Sequence, residues 1–190
     1  MEEKLILVLP KLSDEKDWKE YIKEFSIANS DSHPLNYHIG DDYKTWYETK
    51  ENERLGNGLE KGRVPSSVYF LKEKGRDRIL AHLSIRHSID TDFLAKVGEH
   101  IGYGTRPSER GKGYATAILK LALDECKRLG IKNPMITCKS NNLASASCIR
   151  KNDGKLRDEI YYNGEKFNRY DFNLDNGGEM KVDTNLFKVL

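Results

Sequence analysis

The sequence predicts an α+β fold in which about four helices flank a central mixed, twisted sheet of about seven strands. Short β-branched or apolar runs alternate along the chain with segments whose apolar residues recur at helical spacing. Their order is β-α-α-β-β-β-α-β-α-β-β, without an internal repeat. A chain of 190 residues is long enough for one domain with its own core. We therefore expect a single domain over residues 1–174, followed by a tail or extra strand over 175–190.

The first third of the chain predicts one strand and two helices. Residues 4–10 form an apolar run that ends at a proline, which is typical of a strand. A first helix is predicted over residues 13–28, and a second, more exposed one over 41–55. Polar residues and Pro34 make 29–38 a loop, and the glycine-rich segment 56–65 connects to the sheet. The helical spacing of the first helix is carried by large apolar residues: Trp18, Tyr21, Ile22 and Phe25.

The middle of the chain predicts a hairpin and then a central strand. Residues 66–72 alternate in polarity, and 79–89 form the strand that pairs with them. A short helix over 90–97 precedes the central strand, which is predicted to start at Gly98, to include residues 101–105 and to end near Pro107. The long helix that follows ends at Gly130 and places one face inward: Ala115, Ile118, Leu119, Ala122, Leu123, Cys126 and Leu129.

The last part of the chain predicts a strand over 131–138, a short helix over 141–151 and a closing hairpin. The hairpin strands cover 155–162 and 167–174. They are joined around Asn163-Gly164, a dipeptide that favours a two-residue turn.

Composition excludes several classes of function. The net charge is +2, with 32 Lys and Arg against 30 Asp and Glu, so we expect no nucleic-acid partner. No apolar run reaches membrane-spanning length, and no signal-peptide pattern opens the chain, so no membrane partner is expected. Three cysteines without metal-ligand spacing indicate reduced thiols, a cytoplasmic location and no metal site.

Residues 101–130 carry the features of an anion site. A strand leads into a turn with two glycines and two cations, and a helix starts directly afterwards. The first N–H groups of a helix lack internal partners, and the helix dipole adds roughly half a positive charge there. Glycine lets the backbone close around a phosphate, and Arg110 and Lys112 supply full charges. The alternative is an ordinary strand-turn-helix whose turn happens to be basic.

The turn matches neither of the two common phosphate-binding motifs. It lacks the Gly-Lys-Ser/Thr of a Walker loop and the third glycine of a dinucleotide-binding turn. It resembles the pyrophosphate loop of the GNAT superfamily of N-acetyltransferases, whose Arg/Gln-x-x-Gly-x-Gly/Ala signature is matched by Arg110, Gly113 and Ala115. The element order agrees over 4–174, and motif-level similarity covers 101–154.

The resemblance implies a GNAT-like fold and acetyl-CoA as the acetyl donor. The backbone near Gly104 and Thr105 would pair with the pantetheine arm and supply an oxyanion donor. A bulge at Gly104 would splay the neighbouring strand so that the arm can enter. The loop and the start of its helix would bind the diphosphate through Arg110, Gly111, Lys112, Gly113, Tyr114, Ala115 and Thr116.

A second match follows the strand at 131–138. Asn142 and Ser145 fit the Asn-x-x-Ser/Ala pattern that GNAT proteins often carry there. By resemblance, Asn142 bridges the splayed strands and touches pantetheine, and Ser145 lies near the coenzyme. The alternative is that Asn142 simply caps the short helix, and both roles can hold together.

The implied reaction is attack of an amine on the thioester, which requires a base for the ammonium proton. Glu99 leads the central strand at an offset where some GNAT enzymes place a catalytic glutamate. His100 and His87 are further candidates because histidine titrates near neutral pH. The alternative for Glu99 is a solvated carboxylate at the start of the strand. For His100 and His87 it is a position at the surface or behind the residues that contact the substrate. Many GNAT enzymes carry a tyrosine that acts as the general acid, seven residues after the asparagine that matches Asn142. Here that position is Ile149, which cannot donate a proton.

The sequence thus predicts an acetyl-CoA-dependent N-acetyltransferase for a primary amine of a small molecule or peptide. The acceptor is expected between the N-terminal helices, residues 86–90 and the last hairpin, and a homodimer is left open. Two alternatives remain. One is a CoA-binding regulatory or structural module without turnover, which Ile149 supports, and the other is a phosphate-binding protein unrelated to CoA.

Overall fold

A computed structural model describes residues 4–28 and 34–174, so the predicted tail at 175–190 lies outside the described residues. Within them the chain forms seven strands and five α-helices, in the predicted order with the short third helix included. The strands are β1 (Leu5–Val8), β2 (Ser66–Glu73), β3 (Ala81–Arg86), β4 (Ile101–Thr105), β5 (Met135–Lys139), β6 (Lys155–Tyr162) and β7 (Glu165–Asp171). The helices are α1 (Glu15–Ile27), α2 (Tyr43–Leu55), α3 (Asp92–Val97), α4 (Tyr114–Arg128) and α5 (Leu143–Lys151).

The seven strands divide into two sheets, and this division creates the cleft described below. β1, β2, β3 and β4 form one sheet in that order, and β5, β7 and β6 form the other. Every ladder within the two sheets is antiparallel, so the single mixed sheet of the sequence prediction is split between β4 and β5. The two edge strands meet at one end, where the N–H of His100 donates to the carbonyl of Met135 at 2.8 Å.

The long helix α4 packs its predicted face against the sheet. Ile118, Leu119, Ala122 and Cys126 are fully buried, which confirms the helical spacing read from the sequence. Gly130 follows the helix with a φ of 76°, in the left-handed region where glycine is favoured. Within the described residues, no helix is both long and apolar enough to cross a membrane.

A second, aromatic core holds α1 and α2 against the other face of the first sheet. Trp18 stacks on Trp46 with ring centroids 5.2 Å apart and on Phe70 at 5.0 Å. Trp46 is buried in this cluster and packs in the core. This aromatic layer fixes α1 over β2 and β3, and α1 in turn reaches the phosphate loop.

Candidate active site

The loop before α4 leaves the helix N-terminus open. Gly113 precedes the helix with a φ of 87°, and Gly111 has a φ of 77°. A Cβ added at either glycine would meet no atom within 4 Å, so the space outside the loop is free. No side chain of the described residues caps α4 at Gly113. The first N–H groups of α4 therefore face an open volume that suits an anion.

The cations of this loop have different environments. Lys112 is half exposed and its Nζ lies 2.7 Å from Glu109 Oε2. The Arg110 guanidinium lies over the Phe25 ring, 5.5 Å from its centroid. Arg106, by contrast, is 1% exposed and its Nε and Nη1 bind Glu24 at 2.6 Å and Asp17 at 2.8 Å. Lys112 and Arg110 can thus reach an incoming diphosphate, whereas Arg106 joins the loop to α1.

A cleft of about 570 Å³ separates the edge strands β4 and β5. Its walls include Ile101, Gly102 and Tyr103 of β4, and residues 136–139 from the β5 side. Asn142 and Ser145, predicted from the sequence to lie near the coenzyme, also line it. The cleft therefore brings the second sequence motif beside β4, whereas Lys112, Gly113, Tyr114 and Thr116 of the loop and the start of α4 line a separate cavity.

The predicted bulge at Gly104 is wrong. Gly104 pairs with His82 in a regular β3–β4 register from Ala81↔Thr105 to Ile85↔Ile101. Glycine is required there for another reason, because a Cβ would lie 2.5 Å from His82 Cε1. The Gly104 carbonyl accepts a hydrogen bond from the Tyr21 hydroxyl at 3.2 Å. The two sheets separate because β4 and β5 share no ladder beyond their first residues, and not because β4 is bulged.

Glu99 lines the cleft near the end where β4 and β5 meet, one residue before His100. Its Oε2 accepts from the Thr137 N–H at 3.3 Å, and its Oε1 lies 4.0 Å from Arg86 Nη1. Burial raises the pKa of the Glu99 carboxyl to about 7, against the opposing effects of the Arg86 guanidinium and the Thr137 N–H. A carboxyl that titrates near neutral pH is suited to accept a proton.

The two histidine candidates for the base, His100 and His87, both bond to neighbouring strands. His100 is buried and its Nδ1 accepts from the Met135 N–H at 3.1 Å, so the proton of the neutral ring lies on Nε2. Burial lowers the pKa of His100 and also that of His87, whose Nε2 lies 2.9 Å from Ser67 Oγ. Neither histidine lines the cleft, and the contacts of His100 join β4 to β5.

The residues on α5 show which of their expected roles the fold supports. Asn142 Oδ1 accepts from the Ser145 N–H at 3.0 Å, so Asn142 caps α5. Ile149 is fully buried in the main core and cannot act as an acid. The Ser145 hydroxyl instead lies 3.1 Å from the Tyr103 hydroxyl, and both residues line the cleft. No motif in the sequence indicates a role for Tyr103, because its contact with α5 exists only in the fold.

A second cavity of about 450 Å³ lies on the other side of β4. It shares Gly102 and Tyr103 with the cleft, so the β4 backbone is a common wall of the two spaces. Its other walls come from residues 34–36, the connector at 59–64 and the strands β2 and β3. Lys50 and Glu53 of α2, Leu94 of α3 and Arg86 also line it, whereas the last hairpin lines the cleft.

Sequence reasoning missed Arg106 and His82. Arg106 is a buried cation whose partners Asp17, Glu20 and Glu24 recur at helical spacing on α1. The spacing of these carboxylates on one face of α1 indicates that they bind a cation, but it does not indicate that the cation is Arg106. His82 hydrogen-bonds the Tyr21 hydroxyl at 2.7 Å, and burial lowers its pKa to about 3, so it stays neutral. No local pattern marks that residue.

Comparison with known proteins identifies the fold. The model of the acetyltransferase (GNAT) family matches residues 25–154. Among solved structures, the microcin C7 self-immunity acetyltransferase MccE, in complex with acetyl-CoA and AMP, is 18% identical. That likeness covers 90% of this chain and 93% of the other, with a TM-score of 0.65.

Two further structures are similar over the same region. RimL, a ribosomal L7/L12 alpha-N-protein acetyltransferase in complex with coenzyme A, is 18% identical with a TM-score of 0.62, covering 90% of this chain and 95% of that one. A chimera of the spermidine N-acetyltransferase SpeG from Vibrio cholerae is 13% identical with a TM-score of 0.62, covering 90% and 96%. A comparison with curated protein sequences gave no match.

The family match spans well over half of the chain, and it includes β4, the phosphate loop, α4 and α5. Enzymes of this family take acetyl-CoA as the acetyl donor. The resemblance drawn from Arg110, Gly113 and Ala115 is therefore confirmed, and the chain belongs to the GNAT acetyltransferase family.

Proposed function

We propose that the protein is an N-acetyltransferase that transfers the acetyl group of acetyl-CoA directly to a primary amine of a small molecule or peptide. One observation carries this proposal: the cleft lined by Glu99, Asn142 and Ser145 shares the β4 wall with a second cavity on its other side. The N-terminus of α4, which follows β4 in the chain, has no side-chain cap. Two substrates can then approach the same stretch of β4 from opposite sides.

The coenzyme side is formed by the loop and the cleft. We assign the diphosphate to the N–H groups of residues 111–116, with Arg110 and Lys112 supplying charge. The pantetheine arm is assigned to the cleft that Asn142 and Ser145 line, and to the continuation of β4 at Gly104 and Thr105. The Thr105 hydroxyl is buried without a hydrogen-bond partner among the described residues.

Glu99 is the proposed base. Its carboxylate lies at the cleft and 4.0 Å from Arg86, which borders the acceptor cavity. At pH values above about 7 most of it is ionised, as a base for an ammonium must be. His100 has a structural role in this scheme, because its Nδ1 holds the Met135 N–H.

The leaving thiolate needs a proton donor, and Ile149 cannot supply one. The Tyr103–Ser145 hydroxyl pair is the proposed source. The pair lines the cleft, and burial raises the Tyr103 pKa, so the phenol keeps its proton at neutral pH. A proton given by one hydroxyl can be replaced through the other.

The test is turnover of acetyl-CoA by the purified full chain with a panel of amines. The panel includes small amines, amino acids, polyamines and short peptides. Free thiol release and the mass of the acetylated product are both measured. Product with any amine supports the proposal. Acetyl-CoA that raises the melting temperature more than ATP or phosphate, with no product from the whole panel, favours the alternative of a CoA-binding module.

A further inference from the structure

The charges on the walls of the acceptor cavity narrow the choice of acceptor. Lys50 and Glu53 neutralise each other, because Nζ and Oε2 are 2.9 Å apart and both side chains are largely buried. Among the described lining residues, the remaining charges are the guanidinium groups of Arg63 and Arg86. The cavity wall is thus net positive.

The surroundings of the two arginines leave that charge only partly offset. Arg63 contacts Glu60 at 3.3 Å, and both side chains are more than half exposed, so water screens both charges and Arg63 contributes less than Arg86. Arg86 Nη1 donates to the Glu99 carbonyl at 3.0 Å, and its Nε and Nη2 have no partner among the described residues. A second acidic group near Arg86 would complete its bonding.

Arg86 and Glu99 also form a pair of opposite charges across the β4 wall. The shortest distance between the guanidinium and the carboxylate is 4.0 Å. An amine that reaches Glu99 therefore lies beside Arg86, and a carboxylate a few bonds away on the same molecule can bind the guanidinium.

Apolar side chains, among them Leu35, Val64 and Leu94, form another part of the cavity wall.

From this arrangement we infer that the acceptor is an amine with a carboxylate a few bonds from its nitrogen and an apolar body. Arg86 binds the carboxylate, Arg63 adds positive electrostatic potential, and the apolar side chains of the wall contact the apolar body of the acceptor. A polyamine is disfavoured, because its additional cations would face two guanidinium groups. The inference deepens the proposed function and rests on it.

The test compares matched acceptors that differ only in the carboxylate. L-Phenylalanine is set against L-phenylalaninamide, and a peptide amide with N-terminal aspartate against the same peptide with asparagine. Spermidine is included as the polycation. Charge-assisted hydrogen bonds are worth about 1.5–3 kcal/mol, so we expect kcat/KM at least about tenfold higher for a carboxylate form. The pair that shows the preference tells whether the carboxylate is the α-carboxylate or a side chain.

The variants assign that preference to particular residues. Arg86→Gln should reduce the ratio to within about threefold, and Arg63→Gln should reduce it less, as expected for a more distant charge. Arg76→Gln is the matched control, because Arg76 pairs with Glu73 and does not border the cavity. It should keep the ratio of the unsubstituted protein.

Each result supports or overturns the inference. Amides or spermidine that match or exceed the carboxylate forms overturn it and leave the proposed function standing. A preference that survives in Arg86→Gln removes Arg86 from carboxylate binding. Absence of product from every amine overturns the proposed function and the inference together.

Discussion

The two sides of β4 are built in different ways. The proposed coenzyme side combines one continuous stretch, from β4 through the glycine loop into α4, with cleft walls from β5, the start of α5 and the last hairpin. The acceptor side is assembled from separate segments between residues 34 and 103. A site made by local backbone geometry is visible as a motif, whereas a site made by the meeting of distant segments is not.

The two sides are nevertheless joined by α1, whose Tyr21 hydroxyl lies 2.7 Å from Nδ1 of His82 in the wall of the second cavity. Arg106, at the end of β4, binds Asp17 and Glu24 of α1, and Glu24 also accepts from the Ser108 N–H at 3.1 Å. Phe25 of the same helix lies under the Arg110 guanidinium. Variants that alter one side and leave the other unchanged test whether coenzyme binding and acetyl transfer depend on different residues.

The largest effect is expected from Gly113→Asp on the coenzyme side. Aspartate would place a carboxylate at the anion site and impose a side chain at a φ of 87°. We expect acetyl-CoA affinity to fall by more than about 100-fold, since like charge at a diphosphate site costs several kcal/mol. Calorimetric titration measures it. Gly130→Asp is the control, with a similar φ of 76° at the other end of α4, and should keep the affinity.

Glu99→Gln should separate chemistry from coenzyme binding. Removal of a general base typically costs about 100-fold or more in turnover. The glutamine keeps an oxygen that can accept from the Thr137 N–H, so the cleft should stay intact. Steady-state kinetics should show a lower kcat with the acetyl-CoA dissociation constant unchanged. Full activity would remove Glu99 from the mechanism.

The pKa of Glu99 also predicts how rate and stability change with pH. With the pKa raised to about 7, kcat/KM for the amine should fall about tenfold per pH unit below that value as the base becomes protonated. The folded state binds this proton more tightly than the unfolded chain, so the contribution of Glu99 to stability decreases as pH rises from about 4.5 to about 7. Thermal melts at pH 8 should therefore show Glu99→Gln to be more stable than the unsubstituted protein. A lower melting temperature would contradict this assignment.

Tyr103→Phe tests the shared wall between the two sides. It removes the hydroxyl that lies 3.1 Å from Ser145 and keeps the ring. We expect kcat to fall about tenfold, at the lower end of proton-transfer effects, because the Ser145 hydroxyl remains. Acetyl-CoA affinity should change little. Ser145→Ala is the companion variant, and equal activity of both with the unsubstituted protein would show that the thiolate leaves without this pair.

The smallest effect is expected at Asn142, where capping and coenzyme contact overlap. Asn142→Ala should lower the free energy of unfolding by about 1 kcal/mol, because the Ser145 N–H loses its acceptor. Asn142→Asp keeps a capping oxygen and removes the amide N–H₂ group, so it should retain stability. Chemical denaturation and coenzyme titration of both variants separate the two roles. Reduced acetyl-CoA affinity in the aspartate variant would identify a coenzyme contact beyond the cap.

Particular residues show how far the sequence could lead. The helical face of α4, the position of Gly113 before it and the cap at Asn142 were all predictable, because each depends on neighbours within a few residues. Gly104 was correctly marked as special but for the wrong reason. Its neighbour His82 lies 22 residues earlier, on a strand whose register no local pattern gives.

The sequence by itself determined the order of the elements, the glycine-flanked helix start and hence the family, since these follow from residue periodicity and short-range backbone preferences. Only the tertiary structure decided that the sheet opens between β4 and β5, that Tyr103 meets Ser145 and that Arg86 stands 4.0 Å from Glu99. Those contacts join residues far apart in the chain. Their geometry is set by how strands and helices pack, which local preferences do not specify.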